Sequence, residues 1–344
     1  MFRSRMKHIA FGLLATMAPL SARAQVPPPI FDFHMHAQAP SSFGGAQSIC
    51  ANNSNVSFPG VDPQERATPQ NAAICDDPIM SAQDEADNIR RTADIMKRRN
   101  IYGLLDPVKA SPGDTFETFE RWRAAAPGRY RMGFDFYGAG LPPLEDVRQW
   151  IEEGRIDVFF EISVQYEGLK PDDPQLLPYY ALAEELDIPV AIHMGEGPPG
   201  GNQVMLGSPY QVALGDPLLL EPILRAFPKL RVVAVHAGSP FVDEMIAMLY
   251  SYPQLYIDVA QNNWGFPKHQ FHRWLHRFVE AGFAKRILFG SDQMIWPDTM
   301  EIAIERIDDA PFLSEAQKRD ILYNNAARFL RFSDAEIDRH HRGE

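Results

Sequence analysis

The run Phe31-Asp32-Phe33-His34-Met35-His36 sets two imidazoles two residues apart among apolar neighbours. Alternate side chains of a β-strand share a face, so His34 and His36 point one way while Phe33 and Met35 point the other. Two imidazoles side by side at a strand end are half of a metal site, because neutral imidazole is a common ligand of divalent ions. The same alternation in Ala191-Ile192-His193 and Ala234-Val235-His236 turns both histidines to the histidine face of the fold. In Ile287-Leu288-Phe289-Gly290-Ser291-Asp292 the large residues Ile287 and Phe289 take the opposite face and Asp292 joins the histidines. A lone strand histidine is more often core packing, but four histidines and an aspartate of one parity, each ending its strand, point to metal chemistry. Glu161, in Val158-Phe159-Phe160-Glu161-Ile162-Ser163-Val164-Gln165, shares that parity if Val158, Phe160 and Ile162 face outward. Asp32 does too, one step deeper, where it could orient a histidine.

These residues need strands that all end on one side. Short apolar runs bounded by turn residues recur at 30–37, 101–108, 130–137, 157–165, 189–195, 231–238, 255–261 and 286–292. Helix-period segments at 84–99, 144–153, 174–186, 216–226, 240–250 and 270–281 lie between them. Eight strands alternating with helices predict an α/β fold, a (β/α)8 TIM barrel whose catalytic groups sit at the C-terminal strand ends. Ser314 with Gln317 reads as a capping box opening a C-terminal helical extension to about Leu330. Two stretches break the rhythm at the mouth: a polar insertion over 38–79 after the first strand, and a Gly/Pro-rich loop over 194–215 after the fifth. A single barrel domain over 25–344 with a polar tail at 333–344 follows, and His340 and His341 in that tail are expected to be disordered.

With these residues in place the sequence resembles the amidohydrolase superfamily. The resemblance is carried by His34-Met35-His36, by Pro-Val-Ala-Ile-His-Met-Gly around His193, by Val-His-Ala-Gly-Ser-Pro around His236, by Leu-Phe-Gly-Ser-Asp ending at Asp292, and by Asn324-Asn325-Ala326-Ala327-Arg328. It is closest to the amidohydrolase-related branch of metal-dependent lactonases and aminocarboxymuconate-semialdehyde-type decarboxylases, and it spans about Ile30 to Phe332. It implies a divalent ion, Zn2+ first, held by His34, His36, His193 and Asp292, with Asp292 and His236 as the catalytic acid/base and polarising groups. It also implies an alternative, in which Glu161 bridges two ions and His236 becomes a ligand of the second. One ion per chain is favoured. The expected activity is hydrolysis of an amide, lactone or related bond in a small molecule. The alternatives are a carboxy-lyase on the same scaffold and a non-catalytic metal or ligand binder.

Composition narrows the rest. The 344 residues carry a net charge of -12, with 45% hydrophobic and 23% charged residues, which suits a large globular domain. Residues 1–24 hold Arg3, Arg5, Lys7 and Arg23 and no acid, so without them the net charge becomes -16. So acidic a domain repels phosphate backbones and anionic lipid, which argues against nucleic-acid and membrane partners and leaves homo-oligomers open. Basic residues, an apolar run from Ile9 to Leu20 and Ala22-Arg23-Ala24 read as a secretory signal cut before Gln25, and hence a periplasmic or secreted protein. In that compartment Cys50 and Cys75, the two cysteines of the chain, are expected to form a disulfide. The Gly195–Gly200 match to a dinucleotide fingerprint is set aside because two prolines follow where a helix should begin. His269, His272 and His276 read as a solvated helix face. No serine sits in a nucleophile elbow.

Overall fold

All eight apolar runs become parallel strands, paired in chain order. They are β1 (Ile30–His36), β2 (Ile101–Asp106), β3 (Tyr130–Phe134), β4 (Val158–Ile162), β5 (Val190–His193), β6 (Val232–Val235), β7 (Leu255–Asp258) and β8 (Ile287–Leu288). The barrel closes between the ends of the sequence: Phe33 N donates to Phe289 O at 2.8 Å, Asp292 N to His34 O at 2.8 Å and His36 N to Gln293 O at 2.8 Å. These contacts belong to a computed structural model that describes residues 1, 26–51, 56–107, 112–205 and 207–344. The expected signal segment lies outside the described residues.

The strands fold this way because both of their faces are apolar. Met35, Leu105, Phe134, Phe159, Ile192, Ala234, Ile257 and Phe289 pack outward against the helices. Phe31, Phe33, Tyr102, Leu104, Val158, Phe160, Ala191, Val233, Val235 and Leu288 form a second cluster that fills the barrel. This corrects the expected parity at Phe33, Val158, Phe160 and Val235, which lie inside rather than against the helices. At the end of β6 the left-handed backbone of His236, and not strand alternation, turns its imidazole to the centre. For the residues of β1 and β4 the reason is irregularity in the two strands. The pairing register slips between Asp32 and Met35 in β1 and between Phe159 and Ile162 in β4. An extra residue in a strand lets two consecutive side chains share a face. Phe33 and His34 therefore both point inward, as do Phe160 and Glu161, and the apolar residue of each pair packs beneath the polar one.

The C-terminal segment seals the opposite, N-terminal end. The extension to about Leu330 forms, but as helix Glu315–Arg319, a π turn over Asp320–Asn324 and helix Asn325–Phe329. Asn325 Nδ2 donates to Ala284 O at 2.9 Å and to Ile287 O at 2.7 Å, pinning β8. The tail is ordered, contrary to expectation: Asp334–Arg342 is a helix opened by a Ser333/Glu336 capping box. Its His340 is buried, stacks on Tyr102 at 3.8 Å and meets the Tyr323 hydroxyl at 2.9 Å, contacts that fix a tail whose composition alone looks soluble.

At the mouth, the insertion is more structured than its composition suggests. A two-stranded ribbon joins Ser48–Ile49 to Ile79–Met80, Thr68 caps the turn Pro69–Ala72, and Cys50 and Cys75 are disulfide-bonded as expected. A loop of this length contributes about 3 kcal/mol on the chain-entropy model. A Cβ at Gly200 would lie 3.1 Å from Ala72 Cβ, so the insertion and the 194–215 loop touch. Among the described residues no helix is long and apolar enough to cross a membrane. His272 does not lie on a wholly solvated face: its Nε2 is 2.9 Å from Arg306 O and its ring packs on Phe312.

Candidate metal centre

The strand ends bring six ligand-type side chains into one space. His34 Nε2 and His36 Nε2 are 3.0 Å apart, and Asp292 Oδ1 lies 3.4 Å from the first and 3.2 Å from the second. Glu161 stands among them, with Oε2 at 3.8 Å from both of those nitrogens. Its other oxygen, Oε1, is 3.4 Å from His236 Nε2 and 3.9 Å from His193 Nε2. All six residues are buried or nearly so, on a floor made by the Phe160 ring, 4.8 Å from that of His34.

Backbone geometry aims two of these groups. His236 and Asp292 both take left-handed conformations, with φ of 57° and 51°. Such values are uncommon outside glycine and persist where the surroundings enforce them. His236 is held by Asp258 Oδ1, which accepts from its N–H at 2.7 Å, and by Asn262 Nδ2, which donates to its carbonyl at 2.9 Å. Asp292 is fixed through β1 and through Asp32, whose Oδ1 accepts from Ser291 N at 2.8 Å and His34 N at 3.1 Å. Asp32 therefore ties backbone to backbone and orients no imidazole. Burial, only partly offset by those hydrogen bonds, lifts its carboxyl to about 7. Gly290 is required by packing, since a Cβ there would sit 2.7 Å from His34 Cβ.

The ring of His34 is oriented instead by Asp258, whose Oδ2 lies 2.9 Å from Nδ1. A carboxylate only accepts, which places the ring proton on Nδ1 and the lone pair of Nε2 toward the cluster. His236 is fixed the same way, with Nδ1 3.1 Å from Ala260 O and Nε2 turned to Glu161. On its other side His36 Nδ1 faces Asp106 Oδ2 at 3.6 Å. Lone pairs and carboxylate oxygens thus converge on shared volumes, which is repulsive unless a cation or proton stands between them. Protons respond accordingly. Burial opposes charge on His36 and His236, yet Asp106 and Asp292 around the one and Glu161 around the other pull both to about 10. His193 goes the other way, to about 4, because burial outweighs the pull of Glu161. Burial also works against the Glu161 carboxylate, but the imidazoles of His193, His34 and His236 hold it well below the usual range. The donor set, an imidazole-rich pocket with two carboxylates, fits a divalent cation.

The six residues expected as ligands or catalytic groups come together, although their grouping differs from the expected quartet. Ligand atoms within 4.8 Å of one another join His34, His36 and Glu161; His34, His236 and Asp292; and Glu161, His193 and His236. His193 therefore associates with Glu161 and His236. Sequence reasoning missed Asp258 and Asp106, and it reads Tyr166 only as an aromatic residue of the mouth, whereas its hydroxyl lies 3.0 Å from His193 Nε2. At the mouth Tyr166 and Tyr210 stack on each other beside His193, whereas Trp264 is buried and donates to Ser291 O at 2.6 Å. Asp258→Asn is expected to weaken metal binding about 10- to 100-fold, the usual cost of losing a group that orients a ligand, without unfolding the barrel. A chelator-competition titration of the variant measures this, and unchanged affinity would remove Asp258 from its orienting role.

Known proteins place the fold and the family. No curated protein matches the chain. Among solved structures, an uncharacterized TIM-barrel protein from Bordetella bronchiseptica is 17% identical, with 90% of this chain and 100% of that one covered at a TM-score of 0.55. 4-Oxalomesaconate hydratase from Rhodopseudomonas palustris is 15% identical over 90% and 98% of the two chains, with a TM-score of 0.53. A probable 2-pyrone-4,6-dicarboxylic acid hydrolase from Acinetobacter baumannii is 15% identical over 88% and 99%, also with a TM-score of 0.53. At such identities the likeness is one of fold. The sequence itself matches the amidohydrolase family model over residues 31–332, nearly the whole barrel. The chain belongs to the amidohydrolase family.

Proposed function

We propose that the chain is a metal-dependent hydrolase that cleaves an amide, lactone or related bond of a small molecule, with Glu161 shared between two half-sites. The observation that carries this reading is the division of Glu161, Oε2 toward His34 and His36 and Oε1 toward His193 and His236. His34, His36 and Asp292 would hold one ion, and His193 and His236 the other, in place of the single ion expected from the sequence. Zn2+ suits a set of four imidazoles and two carboxylates best. When bound, a divalent ion supplies Lewis-acid polarisation and an activated water near neutral pH.

The chain's own groups do the rest. Although burial disfavours charge on Asp292, the His34 and His36 imidazoles beside it keep its carboxyl below the usual range, so near neutral pH it is ionised and able to accept a proton. It takes the proton from the attacking water and returns it to the leaving group. Asp258 and Ala260 O hold two rings in the tautomer that presents Nε2. The Phe160 floor excludes water from beneath. A disulfide in the mouth insertion fits an oxidising, exported compartment.

Decarboxylation on this scaffold would need cations to grip a substrate carboxylate. Arg66 and Lys170 are exposed, Lys268 pairs with Asp309 on the surface, and Lys109 lies outside the described residues. That disposition favours hydrolysis. The test is a panel of lactones, amides and aromatic carboxylic acids offered to zinc-loaded protein, with acid release and carbon dioxide measured on the same samples. Hydrolysis of a lactone or amide is the expected outcome; carbon dioxide release without hydrolysis would reverse the assignment.

A further inference from the structure

The two half-sites differ in their carboxylates and in a phenol. In the half-site of His34 and His36, each Nε2 meets the other and the carboxylates of Asp292 and Glu161. In the other, the Tyr166 hydroxyl stands 3.0 Å from His193 Nε2, nearer than the 3.9 Å that separates this nitrogen from Glu161 Oε1. Among the described residues the buried His193 Nδ1 has no hydrogen-bond partner, so the polar contacts of the ring converge on Nε2. Whichever of the two groups donates, an imidazole nitrogen hydrogen-bonded to the phenol cannot ligate an ion at the same time, because a ligating nitrogen needs its one lone pair free.

We propose that Tyr166 gates the His193 half-site: its hydroxyl occupies Nε2 while no ion is bound there and is displaced when one arrives. The proposal rests on the reading of the cluster as a two-ion centre. Its consequence is ordered filling. The His34/His36 half-site, which also has Asp292, fills first, and the second ion binds more weakly both because its half-site lacks a carboxylate of its own and because it must break the phenol hydrogen bond. The gate is wired to the mouth. Tyr166 stacks on Tyr210 with ring centroids 5.5 Å apart, and the Ser208 hydroxyl donates to the Tyr166 carbonyl. Tyr210 in turn accepts from Gly197 N, so both neighbours of Tyr166 belong to the 194–215 loop. Uptake of the second ion and the position of that loop are therefore coupled through one side chain.

The experiment is a Zn2+ titration of metal-stripped full-length chain against a chromophoric chelator, for wild type and Tyr166→Phe, with the near-ultraviolet tyrosine absorbance followed in the same cuvette. Wild type is expected to show two steps, with the tyrosine signal moving on the second. Tyr166→Phe keeps the ring stacked on Tyr210 and removes only the hydroxyl. It should tighten the second step about three- to tenfold, the equivalent of one net hydrogen bond, leave the first unchanged and lose the absorbance change. A second step that is unchanged or weaker in Tyr166→Phe overturns the gate. So does a wild-type tyrosine signal that accompanies the first equivalent, an outcome that needs no variant to fold. Failure of the underlying reading looks different: wild type would then bind no Zn2+ at all, or a single ion.

Discussion

His34→Ala is expected to lose the ion of its half-site and, with it, at least about 10³-fold in kcat/KM, since Lewis-acid stabilisation worth several kcal/mol disappears. No neighbour can replace the ligand: His34 is fully buried, its Nε2 is within 3.4 Å of both His36 Nε2 and Asp292 Oδ1, and its Nδ1 is committed to Asp258. The variant should still fold, because both apolar layers of the barrel remain intact. Leaving Asp258 Oδ2 without its partner costs about 1 to 3 kcal/mol, which lowers the melting temperature without abolishing the transition. His36→Ala is expected to behave alike. Metal content by elemental analysis, with circular dichroism as the folding control, decides the matter. Full occupancy in either variant would take the pair out of the ligand set.

Asp292→Asn carries the second large effect, a fall in kcat of about 10² to 10⁴ with the first ion retained at reduced affinity. Asparagine is the informative replacement. It keeps the size of the side chain and tolerates the left-handed backbone, φ 51°, that alanine would resist, so the change isolates charge and basicity. The loss should fall on kcat rather than KM, because Asp292 acts on the proton in flight rather than on substrate binding. Steady-state kinetics at saturating Zn2+ measure this, and a kcat within threefold of wild type would assign the base elsewhere.

Much of this centre was legible in the residues. Histidines and an aspartate that end apolar runs announce strand ends, and a barrel gathers strand ends at one mouth. The alternation rule nevertheless placed Phe33 and Phe160 on the wrong face, because bulges in β1 and β4 are set by strand pairing, which a local pattern does not contain. Asp258 was within reach: in Leu255-Tyr256-Ile257-Asp258 the apolar Leu255 and Ile257 face the helices, which turns the aspartate inward like its neighbours. Asp106, ending Ile101–Asp106, obeys the same rule. Tyr166 was legible only as an aromatic residue near the mouth, since it sits in a single 3-10 turn over Val164–Glu167 whose direction no periodicity fixes. The buried role of His340 depends on Tyr102 and Tyr323, far away in sequence, and a polar composition concealed it.

The central claim is that one carboxylate joins two ion sites. Titrating metal-stripped wild type and Glu161→Gln with Zn2+ to a stoichiometric end point tests it most directly. Because Oε1 faces His193 and His236 while Oε2 faces His34 and His36, wild type should take up two ions per chain. Glu161→Gln, which loses the charge that two cations share, should retain one, held by His34, His36 and Asp292. A wild-type end point of one ion, unchanged in Glu161→Gln, would contradict the shared centre and return His193 to a single site with His34, His36 and Asp292.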